Sequence, residues 1–287
     1  MPITDTKFID ENEAKREEQL STLLKSIKGK EQPLNRKLAV VILAAGLGKR
    51  MKSPDKPKVM FKVCGKPMIQ YVVELAIKVH AEKIIPIVGH HREQVIDLLS
   101  GLNLQYPSEV KIEYAVQDPQ LGTGHAVMQT EKLLKDFDGE VLILTGDVPL
   151  LRFETLEKLI NEHFTGHYEA TLLTTRFRNP AGYGRIVRNS DGQFEKIVED
   201  KDATETQKQI NEINPAIYIV NCNVLFDALS KITPQNKQGE YYLTDIFHFI
   251  PGERTGTVVT DDELEVTGVN SIEQLREMEE ALKSRNN

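Results

Sequence analysis

Leu38-Ala-Val-Val-Ile-Leu-Ala-Ala-Gly-Leu-Gly-Lys-Arg50, continued by Met51 and then by Asp55-Lys-Pro-Lys-Val59, is the stretch whose reading decides the fold. It opens on an apolar run with a β-branched centre, the pattern of a strand buried on both faces. The run leads straight into Ala45-Gly46-Leu47-Gly48, where side chains shrink or vanish. Bare backbone at Gly46 and Gly48 can turn N–H groups into a common concavity, which suits an anion. Lys49, Arg50, Lys56 and Lys58 add positive charge around it, so the implied ligand is a phosphate chain. A plain strand-to-helix connection is the competing reading of the same glycines.

Two better-known phosphate loops do not fit. A Walker loop needs Gly-Lys followed by Ser or Thr, whereas Gly48-Lys49 is followed by Arg50 and no glycine stands five positions before Gly48. A dinucleotide fingerprint needs a third glycine where Met51 stands.

Working outward, Gly65-Lys-Pro67 leads into a helical stripe from Met68 through Val72, Leu75, Ala76 and Val79. Lys83 to Gly89 then predicts a second strand, Arg92 to Leu99 a helix, and Val110 to Gln117 a third strand. This alternation predicts an α/β chain with a parallel sheet and helices on its faces. Gly122-Thr123-Gly124 opens a helix to Leu134, a second place where unpaired N–H donors face a strand end. Glu140 to Thr145 is apolar on both faces and predicts a central strand, ending at Gly146-Asp147. In such sheets ligands bind beyond the carboxyl ends of the strands, where Gly46, Gly122 and Asp147 would all sit. A carboxylate beside a phosphate cradle calls for a cation between them, and Mg²⁺ prefers one or two carboxylates plus phosphate oxygens. A helix cap or an Asp-x-Pro turn remains the alternative for Asp147.

The second half predicts strands over Glu169 to Thr175, around Gly184 to Ile186, over Phe194 to Glu199, and over Ile213 to Asn221 with an early proline. Ser271-Ile-Glu-Gln274 carries a capping box that starts a final helix over 271–287. Residues 1–36 are rich in Glu and Lys, and Leu20, Leu23, Leu24 and Ile27 form one helical stripe. They predict a helical extension that packs outside the domain at 37–270 or offers a partner or homo-oligomer contact.

The 287 residues carry a net charge of −7, which argues against an extended nucleic-acid face. No apolar run long enough for a membrane span and no signal pattern stand in the sequence. Cys64 and Cys222 lack metal or disulfide spacing, and both are expected to be buried thiols in a reducing, cytoplasmic setting. His90, His91 and His125 are expected to be loop or packing residues, and Arg185 to pair locally. No Ser-His-Asp or Cys-His set is evident.

The glycine loop with Lys56-Pro-Lys58 resembles the opening of the sugar-1-phosphate nucleotidyltransferases. Six further stretches, in order, resemble the uridylyltransferase domain of bacterial N-acetylglucosamine-1-phosphate uridylyltransferases. They are Gln117-Asp-Pro-Gln-Leu-Gly-Thr-Gly-His-Ala126, Thr145-Gly-Asp-Val-Pro149, Gly182-Tyr-Gly-Arg-Ile186, Ile197-Val-Glu-Asp-Lys-Asp-Ala203, Gly239-Glu-Tyr-Tyr-Leu-Thr-Asp245 and Glu265-Val-Thr-Gly-Val-Asn270. The resemblance implies a Rossmann-like three-layer α/β/α domain with a mostly parallel central sheet and a smaller sugar-side sheet. It implies that UTP and N-acetylglucosamine 1-phosphate are joined into UDP-N-acetylglucosamine and pyrophosphate, by metal-assisted direct attack on the α-phosphate.

By that resemblance Ala45, Gln117 and Gly122 hold the uracil, with Gly46, Gly48 and Thr123 in the same nucleotide site. Arg50 and Lys58 neutralise the triphosphate, and Asp147 and Asn270 hold Mg²⁺. Gly184, Glu199 and Asn214 bind the sugar, while Tyr241 and Thr244 line its acetamido side. One departure stands out: the family's Asn-Thr-Gly is Asn214-Pro215-Ala216 here. It leaves open another hexose or hexosamine 1-phosphate as substrate, and a non-catalytic nucleotide-sugar-binding regulator is a third reading. Bifunctional members continue into a β-helix acetyltransferase of hexapeptide repeats that this sequence does not contain, so no acetyl transfer is expected.

Overall fold

The computed structural model describes residues 37–46, 48, 51, 55–103 and 111–285. The helix expected within residues 1–36 lies outside the described residues, as do Lys49 and Arg50. From Lys37 onward the chain forms one compact unit.

Strand β1 (Leu38–Leu43) is flanked in parallel by β4 (Lys83–Val88) and β7 (Glu140–Thr145). Its side chains alternate between two cores, as strand geometry requires. Val40 and Ile42 meet Leu142 and Leu144 on one face, and Ala39 and Val41 meet Val141 and Ile143 on the other. Helices α1 (Met68–Lys78), α2 (Arg92–Asn103) and α5 (Phe153–Thr165) cover the first face. Helices α3 (Thr123–Met128), α4 (Glu131–Leu134) and α7 (Cys222–Leu229) cover the second. The three-layer α/β/α arrangement expected from sequence is therefore present.

Beyond β4 the strand expected over 110–117 is two short pieces, β5 (Lys111–Ile112) and β6 (Ala115–Val116), both parallel to β4. The break falls at Glu113, whose carboxylate pairs with Lys83 at 3.7 Å and Lys111 at 2.9 Å. Further along, β8 (Ala170–Arg176) has β13 (Thr255–Thr260) parallel on one edge. On its other edge β11 (Glu212–Asn214) and β12 (Tyr218–Asn221) run end to end, both antiparallel to it. The strand expected over Ile213 to Asn221 is thus divided by Pro215-Ala216-Ile217. Pro215 has no N–H to give to a ladder, and Ala216 sits at φ +59 in the left-handed region. The far edge of β12 pairs with β7, whereas the far edge of β11 pairs with β9 (Gly184–Arg188), which forms a hairpin with β10 (Phe194–Val198). The sheet is parallel around β1 and antiparallel from β12 onward apart from β13. Strands β9 and β10, expected in a smaller sugar-side sheet, join the large sheet through β11, and the small second sheet is the hairpin of β2 (Lys62–Val63) and β3 (Lys66–Pro67).

Helix α6 (Glu205–Lys208) starts on a complete capping box from Thr204 and Gln207. Helix α8 (Ile272–Arg285) lays Leu275, Met278, Ala281 and Leu282 against Val63, Met68, Leu150 and Val269. Cys222 is buried as expected, but Cys64 is exposed at φ +48 in the β2–β3 turn, where a tight hairpin tip leaves no core to enter. Among the described residues no helix is long and apolar enough to cross a membrane.

The chain leaves β1 toward β4 on one side and returns later to β7 on the other. This reversal opens a crevice beyond the carboxyl ends of β1 and β7. Gly146 N–H donates to Leu43 O at 3.0 Å and ties the two loops together there.

Candidate active site

The crevice is a cleft of two lobes that share Thr123, Thr145, Asp147, Ala216 and Asn270. The larger lobe, about 540 Å³, is walled by Ala45, Gly46, Gly48, Lys58, Gln117, Gln120 and Gly122. The smaller, about 230 Å³, is walled by Gly182 to Gly184, Glu199, Asn214, Pro215, Tyr218 and Thr244.

In the larger lobe the glycines do specific steric jobs. Gly48 has φ +58, and a Cβ there would stand 2.9 Å from Lys58 Cβ, so a side chain at 48 would push Lys58 away. Gly122 has φ +113, and a Cβ would meet Tyr241 O at 2.5 Å. The 121–124 loop is clasped by the following segment: Tyr241 N–H donates to Leu121 O at 2.8 Å, Gly124 N–H to Tyr241 O at 2.8 Å, and Leu243 N–H to Thr123 Oγ1 at 3.0 Å. Gln117 is buried, its Nε2 donating to Gly122 O at 2.9 Å and lying 3.2 Å from His125 Nδ1. Gln129 Nε2 lies 3.3 Å from the other ring nitrogen, so His125 packs between two amides and off the cleft wall.

At the waist, Lys58 Nζ forms an ion pair with Asp147 Oδ2 and donates to Asn270 Oδ1 at 2.9 Å. Lys58 comes from a short 3-10 turn that follows Pro57, Asp147 from the loop after β7, and Asn270 from the segment before α8. Asn270 is held by its own N–H, which donates to Gln274 Oε1 at 2.7 Å. The return bond of the expected capping box thus lands on Asn270, while Gln274 N–H donates to Ser271 Oγ at 3.3 Å. Two acceptor oxygens from remote parts of the chain converge on one cationic nitrogen, a set suited to a hard cation. Among the described residues no group of three or more His, Cys, Asp or Glu could hold a metal alone. A divalent ion here would need further oxygens from its ligand, as Mg²⁺ commonly does with phosphates.

In the smaller lobe Asn214 Oδ1 accepts from Ala216 N–H and from the Tyr218 hydroxyl, each at 2.9 Å, leaving its amide Nδ2 as the donor end. Asn214 lies opposite Gly184 in the β11–β9 register. Glu199 Oε1 accepts from Thr244 Oγ1 at 2.9 Å. Burial raises the Glu199 carboxyl above its ordinary value, opposed by the Thr244 hydrogen bond and reinforced by Asp245, Asp202 and Asp200. A carboxyl raised in this way favours the folded state while protonated and loses that contribution as pH climbs through its raised pKa. Glu199→Gln, neutral throughout, is therefore expected to melt above the parent protein at pH ~7.5, with the gap closing at pH ~4. Thermal unfolding at the two pH values tests this, and a gap independent of pH would contradict it.

The structure brings the expected site residues together with two exceptions. Arg50 lies outside the described residues. Tyr241 contributes backbone to the clasp, and its ring stands 6.3 Å from that of His125, outside the walls of the smaller lobe. Lys56 stacks its ammonium over Phe61 at 4.8 Å. Several wall residues lie beyond those assigned a binding role from sequence. Gln120 Nε2 donates to Ala45 O at 3.4 Å, Thr145 lines both lobes, Ala216 sits between them, and a Cβ on Gly268 would come within 3.3 Å of Asp147 Oδ2. The neighbours Thr145-Gly-Asp and Gly268-Val-Asn carried the signal for two of these.

Ala216 holds a left-handed φ that costs an L-residue about 1–2 kcal/mol, against about 0.5–1 kcal/mol of extra chain entropy for glycine. Ala216→Gly is accordingly expected to stabilise the protein by about 0.5 kcal/mol, read as a raised midpoint in urea at unchanged slope.

A glycine wall, a cation–carboxylate waist and a polar second lobe meet at the switch point of an α/β/α sheet, the place where folds of this class bind their ligands. The sequence profile of the nucleotidyl transferase family matches residues 39–263, and the chain belongs to that family. It is 48% identical over 252 residues to the bifunctional protein GlmU of Caldanaerobacter subterraneus subsp. tengcongensis, covering 87% of this chain and 52% of that protein. Against the bifunctional protein GlmU of Thermoanaerobacter pseudethanolicus the identity is 47%, with the same coverage. The chain thus spans about half the length of these curated relatives. A UDP-glucose pyrophosphorylase solved with UDP-glucose shares the fold at TM-score 0.70 and 19% identity, covering 87% of this chain and 99% of that one.

Proposed function

We propose that this protein is a sugar-1-phosphate uridylyltransferase that joins UTP and N-acetylglucosamine 1-phosphate to give UDP-N-acetylglucosamine and pyrophosphate. The observation that carries this reading is the waist, where Lys58, Asp147 and Asn270 meet between a glycine-walled lobe and a carboxylate-bearing one. The resemblance of the ordered sequence stretches to the uridylyltransferase family supports this choice of substrates.

In this reading the larger lobe takes UTP. Gln117, held by Gly122 O, presents its amide to the base beside Ala45 and Gly122, with Thr123 and the 46–48 backbone along the nucleotide. Lys58 and Arg50 neutralise the triphosphate. Glu199 and Asn214, with Gly184 and Thr244, grip the sugar so that its phosphate oxygen faces the α-phosphorus in line. Asp147 and Asn270 would hold Mg²⁺, which when bound offsets charge on the phosphates. Transfer of this kind demands little covalent work from the protein, and positioning with charge stabilisation carries the rate. That accounts for a cleft whose described lining residues include no nucleophile–base pair.

Ala216 supports a second reading of the sugar. Its methyl stands between the lobes, where the family pattern has glycine, and could favour a different hexose or hexosamine 1-phosphate. Pyrophosphate release with UTP and Mg²⁺ across a panel of sugar 1-phosphates decides between them, with CTP, dTTP, ATP and GTP as controls. N-acetylglucosamine 1-phosphate well above the others supports the main reading. A different leading sugar supports the second, and UDP-sugar binding without turnover would replace both with a regulatory role.

A further inference from the structure

Arg185, expected from sequence to pair locally, does not line the cleft. Its surroundings give it a larger role. The side chain is 2% exposed, one of the largest fully buried side chains among the described residues. It sits in β9 immediately after Gly184, opposite Val198 on one neighbouring strand and Ile213 on the other. Those partners immediately precede Glu199 and Asn214. Arg185 is thus one residue away, on each of three adjacent strands, from a residue of the smaller lobe.

Its guanidinium makes the same connection through side-chain bonds. One terminal nitrogen donates to Tyr183 O in the 182–184 turn, and the other to Asp200 Oδ1 at 3.0 Å, just past Glu199. The Tyr183 hydroxyl in turn accepts from Gly268 N–H at 3.4 Å, two residues before Asn270. Arg185 Nε is buried and has no hydrogen-bond partner among the described residues. A buried ion pair is weak evidence of stabilisation, and one with an unmatched donor is weaker still; an apolar side chain of similar volume commonly serves stability as well. What the charge does supply is a fixed fork joining two turns that carry neighbouring residues of the lobe, Gly184 and Glu199.

We propose that Arg185 is a positioning residue for the sugar side of the reaction. Its guanidinium locks the 182–184 and 199–200 turns so that the adjacent Gly184 and Glu199 keep a set position in the wall of the smaller lobe. This rests on the reading that the smaller lobe takes the sugar 1-phosphate. Arg185 reaches the reaction only through those walls, so its loss weakens sugar capture and leaves capture of UTP intact.

The test is steady-state kinetics of the full chain, with KM for each substrate and kcat measured separately for Arg185→Met, Arg185→Lys and Asp200→Asn, beside thermal unfolding. Misplacing a wall by about 1 Å can cost up to ~10²-fold. Arg185→Met is expected to raise KM for the sugar 1-phosphate by ~10-fold or more with KM for UTP within ~2-fold. Arg185→Lys, which keeps one donor bond, should recover part of the loss, and Asp200→Asn should shift the same KM in the same direction. A lower melting temperature with both KM values unchanged, or a proportional rise in both, overturns the proposal. If Arg185→Met does not fold, Asp200→Asn decides, and an unchanged sugar KM there overturns it too. Glu199→Gln serves as the control for the lobe itself. If it leaves the sugar KM untouched, the assignment of the lobe has failed and the role of Arg185 falls with it; if it raises that KM while the Arg185 variants do not, only the present inference is lost.

Discussion

Lys58→Ala is expected to lower turnover by about 10² to 10³-fold while the protein remains folded. Alanine keeps the Cβ that abuts Gly48, so the turn carrying residue 58 loses no packing against the loop. The ammonium disappears, and with it the positive charge at the waist. Asp147, left unpaired, is 17% exposed and faces the cleft, so water can solvate it and the cost to stability is modest. The developing charge of the departing pyrophosphate has no such recourse, because a fixed cation in a walled cleft stabilises it far better than mobile water. Steady-state turnover with a far-ultraviolet spectrum as a check on folding decides the matter, and near-normal turnover would remove Lys58 from the mechanism.

The second large effect is expected at Asp147. Asp147→Asn keeps the shape of the side chain and one oxygen but discards the charge that attracts a cation. With only Asn270 beside it, the waist would offer two neutral oxygens, and the concentration of Mg²⁺ needed for half-maximal rate should rise by ~10 to 100-fold or more. A Mg²⁺ titration of the rate reads this directly. Mn²⁺ binding to the UTP-loaded protein, followed by electron paramagnetic resonance, reads it without turnover. Titrations that superimpose on those of the parent protein would contradict the ligand role. Because Lys58 and Asp147 contact each other, the double substitution should cost less than the two single losses added together.

Much of this arrangement is legible in the sequence, for a physical reason. β1 and β7 are buried on both faces, so their apolar runs are continuous, and the runs stop where the backbone must turn toward a ligand. Ala45-Gly46 and Gly146-Asp147 therefore announce themselves. The smaller lobe is harder to read, because its geometry comes from contacts far apart in sequence. The division of the 213–221 strand at Pro215 depends on which half meets β9 and which meets β7, and no local pattern states that. The exposure of Cys64 follows from a hairpin tip whose short flanking strands carry too little periodicity to be seen. Tyr241 is the instructive case. The family resemblance puts it on the acetamido side of the sugar, and in the structure its peptide groups hold the 121–124 loop closed, a task any residue with an N–H and a carbonyl could perform.

The end-to-end alignment of β11 and β12 has a consequence for how such a site can change over evolutionary time. Asn214 is positioned from β9, whereas Tyr218 is positioned from β7, and only Pro215, Ala216 and Ile217 lie between them. Those residues act as a ruler between two walls of the smaller lobe that are anchored on different strands. Adding or removing one would turn Asn214 to the opposite face of its strand while Tyr218 stayed in place, because side chains alternate with every residue. Their number is therefore fixed by both neighbouring strands at once, so an insertion or deletion there would disturb the register of the whole lobe, whereas a change of side chain would act only locally.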